Sequence, residues 1–150
     1  MFGQSIRSVM EKKKLVTAAP QTAVLKASQL MAKRKVGAVL VVDNGRLIGI
    51  FTERDALFRV MAKRLDPQTT TLAQVMTKSP VTVDPEKTFG YALIVMHDNG
   101  FRHLPVIENR KLIGIVSARN ALDPELEEFV SESRRREQIL REAQTARAGG

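Results

Sequence analysis

The chain has no cysteine, no tryptophan, one tyrosine and two histidines in 150 residues. Without cysteine, disulfide stapling and thiol nucleophiles are both excluded, and a reducing compartment is compatible. No apolar run approaches the roughly 20 residues that span a bilayer. Met1 to Met10 also lacks the charged start and apolar stretch of a signal peptide, so the expected address is the cytoplasm. Equally missing are Gly-x-Ser-x-Gly, His-Glu-x-x-His, a Walker-type glycine-lysine loop and Gly-x-Gly-x-x-Gly. His97 and His103 lie six apart with a helix end expected between them, a poor spacing for a metal pair. Neither a metal site nor an enzyme is expected.

What is present is ordinary globular composition, 43% hydrophobic and 27% charged, in a chain long enough to bury roughly two-thirds of its unfolded surface. The net charge of +8 is unevenly placed. Residues 1–64 carry 13 basic and 4 acidic side chains, residues 65–124 carry 6 of each, and residues 125–150 carry 5 and 6. The excess sits in residues 1–64, and Lys12-Lys13-Lys14, Lys33-Arg34-Lys35 and Lys63-Arg64 account for much of it.

Sliding the chain along itself by 65 residues places Val36–Leu57 on Phe101–Leu122 with nine of 22 positions identical. Upstream, Val16-Thr17 falls on Val81-Thr82, Pro20 on Pro85, Ala27 on Ala92 and Met31 on Met96, and one inserted residue brings Val9-Met10 onto Val75-Met76. This is a duplication over residues 9–122. Copies of about 60 residues are small for independent cores and are expected to pack together.

Each copy reads as a short strand, a helix, a hairpin and a second helix. Val24, Ala27, Leu30 and Met31, and likewise Phe89, Ala92, Leu93 and Met96, have helical spacing, with Gly100 as a terminator. Ala38–Val42 and Leu47–Phe51 are β-rich and flank Asn44-Gly45, a strong hairpin signal; Asn109-Arg110 is the less ideal counterpart. In the tail, Asp123 suits an N-cap, Pro124 the first helical position, and Glu125, Glu127 and Glu128 the positive end of the helix dipole. Glu132 with Arg136 and Glu137 with Arg141 are i,i+4 pairs; Leu126, Phe129 and Val130 are expected to dock.

The element that recurs with chemistry is Gly-x-x-Thr/Ser-x-x-Asp/Asn: Gly49, Thr52, Asp55 and Gly114, Ser117, Asn120. Thr52 with Asp55 has the spacing of a helix capping box, although Glu or Gln is the usual third residue. The same geometry suits a ligand. A strand ending at a helix N-terminus offers free N–H groups to a phosphate, and an acid one turn in accepts from ribose hydroxyls. Arg54 and Arg119 add positive charge beside it.

The duplicated register of Val-Met, Val-Thr-x-x-Pro, helix, Arg102-His-Leu-Pro-Val, Leu-Ile-Gly-Ile-Val and Ser/Thr-x-x-Asp resembles a tandem pair of cystathionine β-synthase (CBS) domains, a Bateman module, over about residues 5–122. The resemblance implies an α+β fold, an α/β sandwich of two pseudo-twofold-related CBS motifs packed through short β-sheets. The motifs would cover 5–64 and 65–122, with a C-terminal helical tail over 123–150. It further implies clefts that mix the copies and bind adenosine-containing ligands. The better cleft would use Thr52, Arg54 and Asp55 with Val81, Thr82, Arg102 and His103; the weaker would use Val16, Thr17, Ser117, Arg119 and Asn120. Asn120 there replaces the carboxylate, and Val36-Gly37-Ala38 replaces Phe101-Arg102-His103. Against these roles, Arg102 and His103 also fit solvated edge residues, and Thr17 and Thr82 fit ordinary strand positions.

The resulting expectation is a regulatory module that binds an adenine nucleotide (AMP, ADP or ATP first, then NAD or S-adenosylmethionine), senses energy or metabolite state, and signals to a partner protein as a homodimer formed through its CBS motifs. The alternatives are a polyanion- or nucleic-acid-binding protein using the basic first repeat, or a ligand-free dimerisation module. Three dispersed basic clusters, no nucleic-acid motif and 5% aromatics argue against nucleic acid.

Overall fold

The computed structural model describes residues 2–13 and 15–149, with the backbone alone for 122–124 and 127. It divides into a unit ending at Ser117 and a second beginning at Ala118.

In the first unit the elements are α1 (Ile6–Val9), β1 (Thr17–Ala18), α2 (Val24–Arg34), β2 (Ala38–Asp43), β3 (Arg46–Thr52) and α3 (Glu53–Asp55), which runs on as a π-helical segment, Ala56–Met61. The second copy supplies α4 (Leu72–Val75), β4 (Thr77–Lys78), α5 (Phe89–Asn99), β5 (His103–Glu108) and β6 (Lys111–Ser117). Both hairpins form where the alternating apolar runs place them, and both carry a bulge at the equivalent point, between Val41 and Val42 and between Val106 and Ile107. Asn44 and Gly45 turn the first at φ 49° and 76°; Asn109 and Arg110 turn the second at 49° and 64°, so Arg110 sits in the left-handed region that Gly45 occupies freely. The helices bury the expected faces: Val24, Ala27 and Met31 in α2, Phe89, Ala92 and Met96 in α5. Gly100 ends α5 in the left-handed conformation, its N–H donating to the carbonyls of His97 and Met96.

The two copies are interleaved. The start of each pairs with the helix of the other: the Ile6 N–H donates to Lys87 O and the Phe89 N–H to Gln4 O, while the Leu72 N–H donates to Thr22 O and the Val24 N–H to Thr70 O. β4, from copy two, pairs antiparallel with β3 and completes a four-stranded sheet in the order β1-β2-β3-β4. On the β5–β6 sheet Glu11 bridges Ile115 and Val83 bridges Val106. The core of copy one (Val24, Ala27, Met31, Val39, Val41, Phe51) thus takes in Leu72, Val75 and Met76 of copy two. Burying each valine, leucine, methionine or phenylalanine of this cluster contributes roughly 1.5–3 kcal/mol. A second cluster of Ala38, Leu40, Ile50 and Ile115 lies between the sheets. Arg7 ties the N-terminal segment to copy two by pairing with Glu86 and Glu108, and both carboxylates raise its guanidinium pKa further.

The glycines of the Leu-Ile-Gly-Ile motif are part of this interleaving. A Cβ on Gly49 would stand 2.3 Å from Met76 Sδ, and one on Gly114 would stand 2.8 Å from Met10 Sδ. Each glycine is a notch for the methionine that opens the other copy.

The second unit is one helix, α6 (Arg119–Ala148), capped at Ala118 without a side-chain bond. The expected start at Asp123 is therefore corrected: the helix begins at Arg119, soon after β6, and the cost of an interior proline, about 3 kcal/mol, is set against a helix of 30 residues. The roles expected of the side chains of Asp123, Pro124 and Glu127 lie outside the described residues. On this helix Leu126 and Phe129 are 58% and 66% exposed. Charged neighbours break up the apolar positions of this helix, which leaves no continuous stripe to bury. Glu137 and Arg141 pair at 3.9 Å. Among the described residues no helix is long and apolar enough to cross a membrane.

Candidate functional site

At Thr52 strand β3 runs out in extended conformation and α3 begins. The first N–H groups of a new helix need acceptors; the capping box serves those of Thr52 and Asp55, and Gly37 O accepts from the Glu53 N–H. The Asp55 N–H donates to Thr52 Oγ1 at 3.3 Å, and Asp55 Oδ2 accepts from the Thr52 N–H at 3.0 Å and from its hydroxyl at 3.2 Å. Asp55 is only 8% exposed. Its Oδ1 faces Arg59 Nε at 3.4 Å. An ionised carboxylate has about four acceptor positions, so after the two bonds to Thr52 and the Arg59 pair it retains capacity for a further donor.

These residues form one side of a cleft of about 580 Å3, within the range of small-molecule sites. Copy two forms the other side. Thr77, Pro80 and Val81 come from the chain after α4, and Gly100, Phe101, Arg102 and His103 from the entry to β5. Arg54 bridges the copies, with Nη1 donating to Gly100 O at 3.3 Å. The walls are mixed in character. Ile50, Leu57, Phe58, Val81 and Phe101 are apolar, while the three arginines Arg54, Arg59 and Arg102 outnumber the acids Glu53 and Asp55, and His103 adds a polar ring. A Cβ on Gly37 would lie 3.1 Å from Glu53 Oε1 and 3.3 Å from His103 Nε2, so the bare glycine leaves room for both groups.

Of the residues expected in the better cleft, Thr52, Arg54, Asp55, Val81, Arg102 and His103 line it together; Thr82 does not and is exposed. For the weaker set, Val16 is buried with its carbonyl accepting from the Leu40 N–H, Thr17 is exposed on β1, and Ser117 ends β6. Arg119 and Asn120 open α6 in the second unit. His97 is exposed on the last turn of α5, on a different element from His103. Among the described residues no group of three His, Cys, Asp or Glu is placed to hold a metal.

The sequence reasoning missed Arg59, Thr77, Pro80 and the exposed Phe58. Only Arg59 had a usable signal: it lies i+4 from Asp55, and the 65-residue shift puts Pro124 in its place.

Comparison with known proteins accords with this architecture. A family model for the CBS domain matches residues 6–62 and again 72–124. The CBS domain-containing protein CBSCBSPB5 of Arabidopsis thaliana is 39% identical over 110 residues, 73% of this chain, which spans only 20% of that relative's length. YhcV, a CBS domain-containing protein of Bacillus subtilis, is 33% identical over 103 residues, 69% of this chain and 73% of the relative. A solved conserved protein from Pyrococcus horikoshii superimposes with a TM-score of 0.77 at 28% identity, covering 83% of this chain and 94% of its own. A CBS domain pair solved with 5′-methylthioadenosine and S-adenosyl-L-methionine shares the fold at 20% identity and a TM-score of 0.74, covering 83% of this chain and 98% of its own. With the model matching both copies, the chain belongs to the CBS domain family, as a tandem pair of these regulatory ligand-binding modules.

Proposed function

We propose that the cleft binds an adenine nucleotide and that the chain is a regulatory module, without catalysis of its own, that passes cleft occupancy to a partner protein. The observation that carries this reading is the pairing of Thr52 and Asp55, with one carboxylate acceptor position still open, in a cleft that Arg102, His103 and apolar side chains also line. A ribose diol needs such an acceptor, a base needs apolar walls, and phosphates need donors such as the Arg102 guanidinium and the His103 ring. AMP, ADP and ATP fit the cationic end best; NAD and S-adenosylmethionine are the next candidates. The adenosine-bearing ligands of the related CBS pair support the class at the level of the fold. Signalling requires that the ligand bind two arrangements of the module with different affinity.

The module is proposed to act as a homodimer through α5. Tyr91 and Ile94 on its outer face are 46% and 62% exposed, whereas the 65-residue counterparts on α2 are Lys26 and Gln29. Antiparallel pairing of α5 with its symmetry mate sets Tyr91 against the partner's Ile94 and Lys87 against the partner's Asp98, a self-complementary arrangement suited to a twofold axis.

Thermal unfolding with AMP, ADP, ATP, NAD and S-adenosylmethionine tests the ligand class. A nucleotide at a hundredfold its Kd stabilises by about 2.7 kcal/mol, or about 5–10 °C for a chain of this size. No shift with any of the five refutes the nucleotide reading; an equal shift in Asp55→Ala refutes the site.

A further inference from the structure

Arg59 has three polar contacts that reach two parts of the molecule. Nε faces Asp55 Oδ1 at 3.4 Å, and Nη1 donates at 3.2 Å to each of the carbonyls of Val75 and Met76. Those carbonyls end α4, the four-residue helix that opens copy two. Immediately after them come the Met76 side chain, seated over Gly49, and β4, paired with β3. The π-helical segment Ala56–Met61 carries Arg59 into this position, with the Ala62 N–H donating to Leu57 O one residue further back than in an α-helix. π-turns of this kind are found frequently at functional sites. The guanidinium itself is the suitable group. It is planar, always charged, and able to serve a carboxylate and two carbonyls from separate N–H groups.

The repeat supplies an independent observation. Copy one has Asp55 with Arg59; at the same two positions copy two has Asn120 with Pro124. The cation is present where the carboxylate is present and missing where it is missing, although the surrounding scaffold is shared.

We propose that Arg59 is the positioning residue that couples the cleft to the junction between the copies: it fixes the Asp55 carboxylate and ties it to the end of α4, so that a ligand held by Asp55 alters the opening of α4. The ligand half of this statement rests on the nucleotide reading; the tether does not. A ribose diol brings two donors to a carboxylate with one open position, so the second competes with Arg59 Nε and loosens the hold on the Val75 and Met76 carbonyls. A ligand without the diol leaves that hold intact.

The test is amide hydrogen exchange on the full chain, followed at Met76, whose N–H donates to Leu72 O, with Met10, whose N–H donates to Ile6 O at the equivalent position, as the internal control. Without ligand, Arg59→Ala and Asp55→Asn each speed exchange at Met76 by about tenfold or more and leave Met10 unchanged; in the Arg59→Ala background Asp55→Asn adds nothing. Unchanged exchange in either single variant, equal acceleration at Met10, or full additivity of the two overturns the tether. With saturating AMP, exchange at Met76 rises in the wild type, and with 2′,3′-dideoxy-AMP it does not. A rise of the same size in Arg59→Ala overturns the coupling. If AMP produces no thermal stabilisation at all, the nucleotide reading falls and the ligand-free measurements still decide the tether.

Discussion

Gly49→Ala introduces one methyl group at the seam between the copies, and the structure fixes its consequence. The new Cβ would stand 2.3 Å from Met76 Sδ, 2.9 Å from Cγ and 3.1 Å from Cε, so the methionine must move by about an ångström to reach ordinary contact. Met76 is 8% exposed and packed among Val16, Phe51 and Val75, which leaves it little room. Overpacking of this kind costs about 1–3 kcal/mol, and replacing a strand glycine by alanine returns about 0.5–1 kcal/mol in backbone entropy. The net expectation is a loss of about 1 kcal/mol, read as a fall in Tm of about 2–4 °C and a lower urea midpoint at unchanged slope. Met76→Ala alone costs about 2–5 kcal/mol through the cavity it leaves. In the double variant the alanine methyl enters space that the methionine vacated, so the overpacking cost of about 2 kcal/mol disappears and the double loss is smaller than the sum by that amount. If the two losses add within about 0.5 kcal/mol, or if Gly49→Ala alone is neutral, the glycine is not a notch for Met76 and the account of the interleaving is wrong.

Three further outcomes follow from the site and the surface. Asp55→Ala removes the capping partner of Thr52 and costs about 0.5–2 kcal/mol in ligand-free unfolding; in the same variant the nucleotide-dependent rise in Tm disappears. Arg102→Ala with His103→Ala raises the Kd for AMP by about tenfold or more, as loss of charge-assisted bonds to a phosphate does, while leaving adenosine within about twofold; calorimetric titration of both ligands separates phosphate from base recognition. Ile94→Lys puts a charge at the centre of the proposed α5 contact, and sedimentation equilibrium should find monomer where the wild type is dimer. At this exposed position Tm measured on dilute, monomeric protein changes by less than about 0.5 kcal/mol equivalent.

The parts of the fold that were legible in the sequence are those fixed by neighbours along the chain. The Asn44-Gly45 hairpin, the buried faces of α2 and α5, the Gly100 terminator and the Thr52–Asp55 box all depend on spacings of one to four residues. What could not be read depends on partners far apart. Gly49 was visible as a repeated glycine, but its reason is a methionine 27 positions away; β4 is two residues long and is a strand only because β3 offers it an edge. Arg59 carries an i+4 relation to Asp55 that the sequence displays, yet nothing local shows that its other nitrogen reaches Val75 and Met76. Asp123 and Pro124 formed a persuasive start signal that the helix growing out of β6 overrode, since a helix already nucleated extends at less cost than a new one begins.

Because one scaffold is built twice, differences between the copies separate structure from function in a way a single domain does not allow. Positions that hold the copies together are kept: Gly49 and Gly114 face Met76 and Met10, and Ala27, Met31, Ala92 and Met96 fill the same places under the two hairpins. Neither copy can relax these without losing the other's core. Positions outside that constraint have diverged, and the divergence is chemically ordered. Asp55 and Arg59 stand against Asn120 and Pro124, and Arg102 against Gly37, so carboxylate and cations converge on one cleft. Lys26, Gln29 and Lys33 on the exposed face of α2 stand against Tyr91, Ile94 and Asp98 on α5. The net charge of copy one therefore arises largely on a solvated helix face and in the exposed Lys12-Lys13 and Lys63-Arg64 segments. Random drift would scatter such changes. Their concentration at one cleft and one helix face is what the proposed division of labour requires, with one copy's acid and the other's cations holding the ligand, and α5 of the second copy meeting its symmetry mate.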